Sequence, residues 1–183
     1  GAGQGGTSDG LDAIADLAGY FSHLIDRRRT DPGDDMVSQL VGLGEEQASV
    51  MWILGFAFTM VAGGNDTTTG MLGGSAVLLT EHRGERRRLL DDPSLIPNAV
   101  EELLRLTSPV QNLARTTTRD VDVGGTTIPS GARVLLGYGS ANRDEREYGA
   151  NSECLDVGRP VERMLTFGSG AHFCLGAAAA RLQ

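Results

Sequence analysis

The sequence contains no lysine: all 16 cationic residues are arginine, set against 24 aspartates and glutamates for a formal net charge of −8. That balance excludes a nucleic-acid or anionic-membrane surface as the main partner, because polyanions repel it. Cysteine is scarce as well. Cys154 and Cys174 are the only two, too few for a disulfide framework, and they point to a reducing cytoplasm. Neither lies in a CxxC motif and no HxxxH pair accompanies them, which argues against zinc. Uncharged runs are short, apart from ASVMWILGFAFTMVAGG at residues 48–64. It is brief for a bilayer span, follows Glu45 and Glu46 rather than basic residues, and leads into NDTTTG, so it reads as a core helix. Initiator methionine and signal-peptide pattern are both missing; the opening GAGQGGTS reads as a flexible entry or a cut inside a longer protein.

What is present is enough for one core: 183 residues, 40% hydrophobic, expected to form a single domain over 1–183. The pattern predicts a mainly α fold with a small β portion. A first helix over 8–30 puts Leu11, Ile14, Leu17, Ala18, Phe21, Leu24 and Ile25 on one face, with Ser8 or Asp9 as cap and three arginines at its end. A short helix follows the proline turn near residue 32. From about Glu45 to Thr80 runs a long helix, apolar on most sides and therefore expected to be buried and central. Two more are predicted over 83–92 and 93–106, the second with a serine cap and Pro97 in its first turns. Beyond Pro109, VDVGGTTI and ARVLLGY alternate like strands, and 140–166 shows little periodicity. An irregular stretch of that length usually serves a function.

Three constellations carry chemistry. VAGGNDTTTG, residues 61–70, places two glycines and an acid within an apolar helix. Glycine there costs about 1 kcal/mol per position, so Gly63 and Gly64 imply close helix packing or the approach of a flat ligand. Asp66 in such a helix needs a partner or water; a local bulge that frees a threonine hydroxyl would suit proton delivery. In EELLR, Glu102 and Arg105 share one helical face, a surface ion pair unless something buries it. Glu101 serves the same role only if a different arginine answers it. In FGSGAHFCLG, residues 167–176, Cys174 precedes a strong helix former, where the dipole and free amides favour a thiolate. Nucleophile, redox thiol, axial ligand to a haem iron and inert buried cysteine all stand open, with the glycines favouring a loop laid flat on a macrocycle.

FGSGAHFCLG resembles the haem-binding loop of the cytochrome P-450 monooxygenases, and GGNDTT and EELLR resemble that family's acid–alcohol helix and Glu-x-x-R pair, in the family's order. RTTTRDVDVGGTTIPSGARVLLGYGSANRDE is similar to soluble bacterial, especially actinobacterial, members. The resemblance implies a partial P-450 fold: long central helix, Glu-x-x-R helix, β hairpins, irregular meander, Cys-loop and following helix, without the amino-terminal half and the final strands. It implies haem b with Cys174 as iron ligand, Phe167 beside the sulfur, Gly168, Gly170 and Gly176 shaping the loop, and Arg115 and His172 on the propionates. Gly63 and Gly64 would border the oxygen site, and Asp66 and Thr67 would relay protons to O2. Glu102, Arg105 and Arg159 would form a buried ion network holding the irregular segment. Thr59, Ala62, Val110, Gln111, Asn112 and Leu113 would line a pocket for a mainly apolar organic substrate. Electrons would come from a separate ferredoxin and ferredoxin reductase. A non-enzymatic haem-binding module or an inactive remnant is the alternative; the first has no use for Asp66 and Thr67, and the second exposes apolar surface.

Overall fold

The computed structural model describes residues 5–183, with side chains from residue 10 onward. The Ser8 and Asp9 side chains expected to cap the first helix therefore lie outside the described residues. Two compact units divide the chain, the first ending at Gly64 and the second running from Asn65 to Gln183.

In the first unit, helix α1 (Gly5–Thr30) is followed by α2 (Met36–Gly42) and by the opening turns of α3 (Val50–Glu81). Asp35 starts α2: its carboxylate accepts the Ser38 backbone N–H at 2.8 Å and pairs with Arg28 at 2.7 Å. The core is Ile25, Ala48 and Ile53, packed by Val37, Leu40, Val41, Val50 and Leu54. Of the seven residues expected to be the apolar face of α1, only Ile25 is buried, and Leu11 and Ile14 are 68% and 50% exposed. Helix α3 begins five residues later than expected. Residues 45–48 form turns and a bend after Gly44, whose φ is a left-handed 83°, and Ser49 then caps the helix, its Oγ accepting the Trp52 N–H at 3.3 Å. Burial on most sides of α3 is not found either: Met51, Trp52, Leu72 and Val77 are 76%, 52%, 48% and 56% exposed. Each unit covers one stripe of the helix, Ile53 and Ala57 in the first and Ser75 with Leu78 and Leu79 in the second.

The second unit continues α3 into α4 (Arg83–Asp91), a 3-10 turn at Pro93–Leu95 and α5 (Ile96–Thr107). The expected serine cap is replaced by Asp92, whose carboxylate accepts both the N–H and the hydroxyl of Ser94; Pro97 occupies the first turn of α5. Helix α5 buries Ala99, Leu103 and Leu106 against Leu155 and Val157, with Met71, Leu78, Leu79, Leu89 and Leu95 around them.

Close packing of α3 on α5 occurs at Gly74. A Cβ there would stand 2.8 Å from Thr107 Cγ2, while one at Gly73 would meet nothing within 4 Å. Thr107 is pinned by its hydroxyl, which donates to the Leu103 carbonyl at 2.7 Å. Gly74→Ala is therefore expected to destabilise by about 1–3 kcal/mol, whereas Gly73→Ala gains roughly 0.5–1 kcal/mol of helix propensity. Urea unfolding of the adjacent pair of variants checks the opposite signs.

Strand β1 (Leu113–Thr116) pairs antiparallel with β4 (Arg133–Leu136), Arg115 opposite Val134; β2 (Val121–Val123) and β3 (Thr126–Ile128) form a hairpin. Its turn, Gly124–Gly125, has φ of 57° and 81°, as a two-residue hairpin connection requires. The segment after β4 is largely irregular, as expected, with single turns α6 (Tyr138–Ala141) and α7 (Glu145–Tyr148), and the chain closes on α8 (Ala177–Leu182). No helix among the described residues is long and apolar enough to cross a membrane.

Asp144 starts α7 and is the clearest acid-sensitive group. Hydrogen bonds from the Arg146 side chain, then from its backbone N–H, hold the Asp144 carboxyl at about 2 instead of 3.8. A carboxyl with a lower value folded than unfolded stabilises fully above about pH 4 and loses that contribution as pH falls toward about 2. The stability difference between the parent and Asp144→Ala is expected to be constant from neutral pH to about pH 5 and to narrow through that window, read by urea unfolding at each pH.

Candidate functional site

Helix α5 carries the most deeply buried charges. Glu102 and Arg105 are both 0% exposed, joined by two parallel bonds in which Arg105 Nε and Nη2 donate to the carboxylate at 2.7 and 2.8 Å. The spare N–H groups of Arg105 Nη1 donate to the carbonyls of Asn142 at 2.6 Å and Ser152 at 2.8 Å, and the guanidinium lies 4.7 Å over the Tyr148 ring. Arg159 reaches the same carboxylate, Nε to Oε1 at 3.1 Å, and donates to the carbonyls of Tyr148, Asn151 and Cys154. One acid and two arginines thus stitch α5 to the irregular segment, whose carbonyls have few partners of their own kind. Asn142, fully buried, adds to this: its amide N–H groups donate to Ser108 and Thr166, and its Oδ1 accepts the Leu165 N–H at 2.8 Å.

Beyond Thr166 the chain enters the glycine loop. Gly168 and Gly170 have φ of 71° and 70°, which non-glycine residues adopt at a cost. Gly176 does not: its φ is −84°, and a Cβ there would lie 4.0 Å from Cys174 Sγ. Cys174 is exposed, its N–H donating to the Phe167 carbonyl at 2.9 Å and its carbonyl accepting from Ala177 at 3.3 Å. The thiol does not sit in the first turn of a helix: α8 begins at Ala177, with Leu175 and Gly176 between.

Arg115 on β1 and His172 in the loop line one hollow of about 440 Å³, together with Leu136, Tyr138, Leu165 and Ser169. Both side chains are exposed, and the Arg115 Nη1 donates to the neighbouring Ala114 carbonyl at 2.9 Å. Asp66 and Thr67 stand on α3 where the second unit opens. The helix is regular α through 61–70, so the expected bulge is absent, and Asp66 is exposed, accepting from Asn65 at 3.4 Å. Gln111 is committed elsewhere than a pocket: its amide donates to the carbonyls of Thr107 and Ser108, closing the end of α5. Val110 is half-buried, and Asn112 and Leu113 are exposed. In the first unit Thr59 and Ala62 are exposed, and the Thr59 hydroxyl donates to Gly55 O at 2.8 Å. A Cβ added at Gly63 or Gly64 would meet nothing within 4 Å, so neither glycine is required there by close helix packing.

The model of the Cytochrome P450 family matches residues 76–183, more than half of the chain. The chain belongs to the cytochrome P450 family. It is 61% identical to Cytochrome P450 130 of Mycobacterium tuberculosis over 98% of its own length and 45% of that protein's. Vitamin D(3) 25-hydroxylase of Pseudonocardia autotrophica is 40% identical, with 93% and 43% covered. Among solved structures, the bacillaene polyketide synthase cytochrome P450 PksS of Bacillus subtilis superposes with a TM-score of 0.87 at 37% identity, over 100% of this chain and 47% of that one. The chain therefore spans about 45% of the length of a curated P450 relative, and its helices and small β portion are part of the P450 fold.

The family implies haem, and the donor set in the second unit fits it. A haem takes an axial ligand, for which a cysteine thiolate serves, and hydrogen-bond partners for two carboxylates; the loop offers an exposed thiol at Cys174, and a guanidinium and an imidazole share the adjoining hollow. The reading from sequence did not reach Asn142, Tyr148 or Arg181. Their partners lie far along the chain, and a lone asparagine or tyrosine in a turn-rich stretch carries no local signal of burial.

Proposed function

We propose that this chain is the haem-binding portion of a bacterial-type monooxygenase that hydroxylates a mainly apolar organic substrate. The reading rests above all on Arg115 and His172, distant in sequence, meeting on one hollow beside the loop that presents Cys174. Cys174 would ligate the iron of haem b, with Arg115 and His172 donating to its propionates. When bound, the haem supplies dioxygen activation, to which a thiolate ligand contributes electron density that favours O–O cleavage. The chain's own residues do the rest. The fork of Arg115 and the ring N–H of His172 fix orientation, and the Phe167 carbonyl holds the Cys174 amide. Asp66, exposed on α3, holds and releases a proton that Thr67 hands on. Val110, Asn112 and Leu113 contribute apolar and amide surface to the substrate, while Gln111 holds the end of α5.

The hydroxylase and polyketide names of two relatives support hydroxylation of a mainly apolar organic substrate, and bacterial kinship supports a separate ferredoxin and reductase as electron source in the cytoplasm. The test is isotopic. The complete enzyme that contains this chain is supplied with such a redox pair and 18O2 and offered a panel of sterols and macrolides. One 18O atom in a hydroxylated product is expected; hydroxyl oxygen drawn from water, or no turnover across a panel that binds, contradicts the reading.

A further inference from the structure

Adjacent residues on a helix point about 100° apart, and α5 uses this twice. Glu102 turns into the buried arginine cluster, and its neighbour Glu101, half-buried, turns toward α8. There it is answered by Arg181, 80 residues later, whose Nε and Nη2 donate to the two carboxylate oxygens at 2.5 and 3.0 Å. The same guanidinium lies 4.6 Å over the ring of Phe167. Phe167 in turn accepts the Cys174 N–H through its carbonyl at 2.9 Å and sets its ring 6.2 Å from that of Phe173. Helix α8 has little else to hold it, since Ala177 is its one buried residue.

We propose that Glu101, Arg181 and Phe167 form a clamp that positions the Cys174 loop, with Arg181 as the positioning residue. The clamp closes both ends of the loop on one rigid support: Phe167 where the loop begins, Arg181 on the helix that follows it, and α5 beneath both. A flat cation over an aromatic face, fixed by a two-pronged carboxylate, has a defined orientation that a lysine would not reproduce. The Arg181 guanidinium is driven further toward its charged form by the hydrogen bond to Glu101, against the cost of burial, and by the charge of Glu101. The functional meaning of the clamp rests on the haem-thiolate reading; its existence does not.

Hydrogen exchange on the full chain tests the device without haem. In Arg181→Gln the amides of Cys174 and Ala177 are expected to exchange about tenfold faster, while those of Leu104 and Leu106 on α5 stay as they are. Glu101→Gln should give the same loop effect, and the double variant no more than either alone. Arg87→Gln, which breaks an exposed pair with Asp91, serves as control. In the haem-loaded enzyme, Arg181→Gln should lower the fraction of ferrous–carbon monoxide haem that shows the red-shifted band, with partial recovery in Arg181→Lys. Unchanged exchange at Cys174 and Ala177, or equal effects in α5, overturns the clamp. A wild-type enzyme without the shifted band overturns the haem-thiolate reading instead, and leaves the exchange result to stand by itself.

Discussion

Glu102→Gln is expected to destabilise the second unit by about 3–5 kcal/mol, the cost of breaking a buried ion pair from one side. Glu102, Arg105 and Arg159 have 0%, 0% and 7% exposure, and among the described residues the Glu102 carboxylate is the anion that both guanidiniums share. Removing its charge leaves two cations desolvated, with neutral acceptors remaining, backbone carbonyls and the Asn151 amide oxygen. The Asp156 N–H, which donates to Glu102 Oε1 at 3.2 Å, is loosened as well. The loss should therefore appear in the irregular segment as much as in α5. By contrast, Arg87→Ala, which breaks a pair whose side chains are 73% and 59% exposed, should change stability by less than about 0.5 kcal/mol. Urea unfolding of both variants gives the comparison, and similar values for the two would contradict the role assigned to the buried cluster.

Local signals in the sequence were strong where one element makes its own structure. The apolar stripe of α5 with Pro97 at its start, and the Gly-Gly turn of the β2–β3 hairpin, are decided by neighbours a few residues away. Ser49 caps α3 at the head of an apolar run, but the helix-forming residues 45–48 before it carried the expected start back to Glu45. Strand β1 was not legible, because all four of its residues are exposed and no alternation betrays a strand. Its pairing with β4 rests on backbone bonds that leave no trace in composition.

Residues of the candidate site divide in the same way. Cys174, with glycines at the left-handed positions 168 and 170, announces a loop from ten consecutive residues. The Glu102–Arg105 pair is visible as a spacing, but its depth is not, since burial depends on carbonyls contributed by residues 142 and 152. Only the family resemblance singled out Arg159. Glu101 needed an arginine to answer it, and which one follows from the fold alone: Arg181 lies 80 positions away on a helix that the Cys-loop delivers to α5. The apolar faces of α1 and α3 mislead for a related reason. Periodicity reports that a face is apolar, and says nothing about which residues cover it.

The largest functional effect is expected at Cys174. Both cysteines are free and exposed, so accessibility does not separate them; the loop does. Cys154 sits in the irregular segment with its carbonyl bound by Arg159, whereas Cys174 closes the glycine loop. Serine at Cys174 keeps the backbone N–H that bonds Phe167 and removes the sulfur proposed to bind the iron, so loss of the haem–thiolate signature without loss of fold is expected. The decisive measurement is the absorption spectrum of the haem-loaded protein, reduced and exposed to carbon monoxide. A strongly red-shifted Soret band that survives Cys154→Ser and vanishes in Cys174→Ser is the predicted result. A band that persists in Cys174→Ser, or that is never shifted in the complete enzyme carrying this chain, would contradict the account.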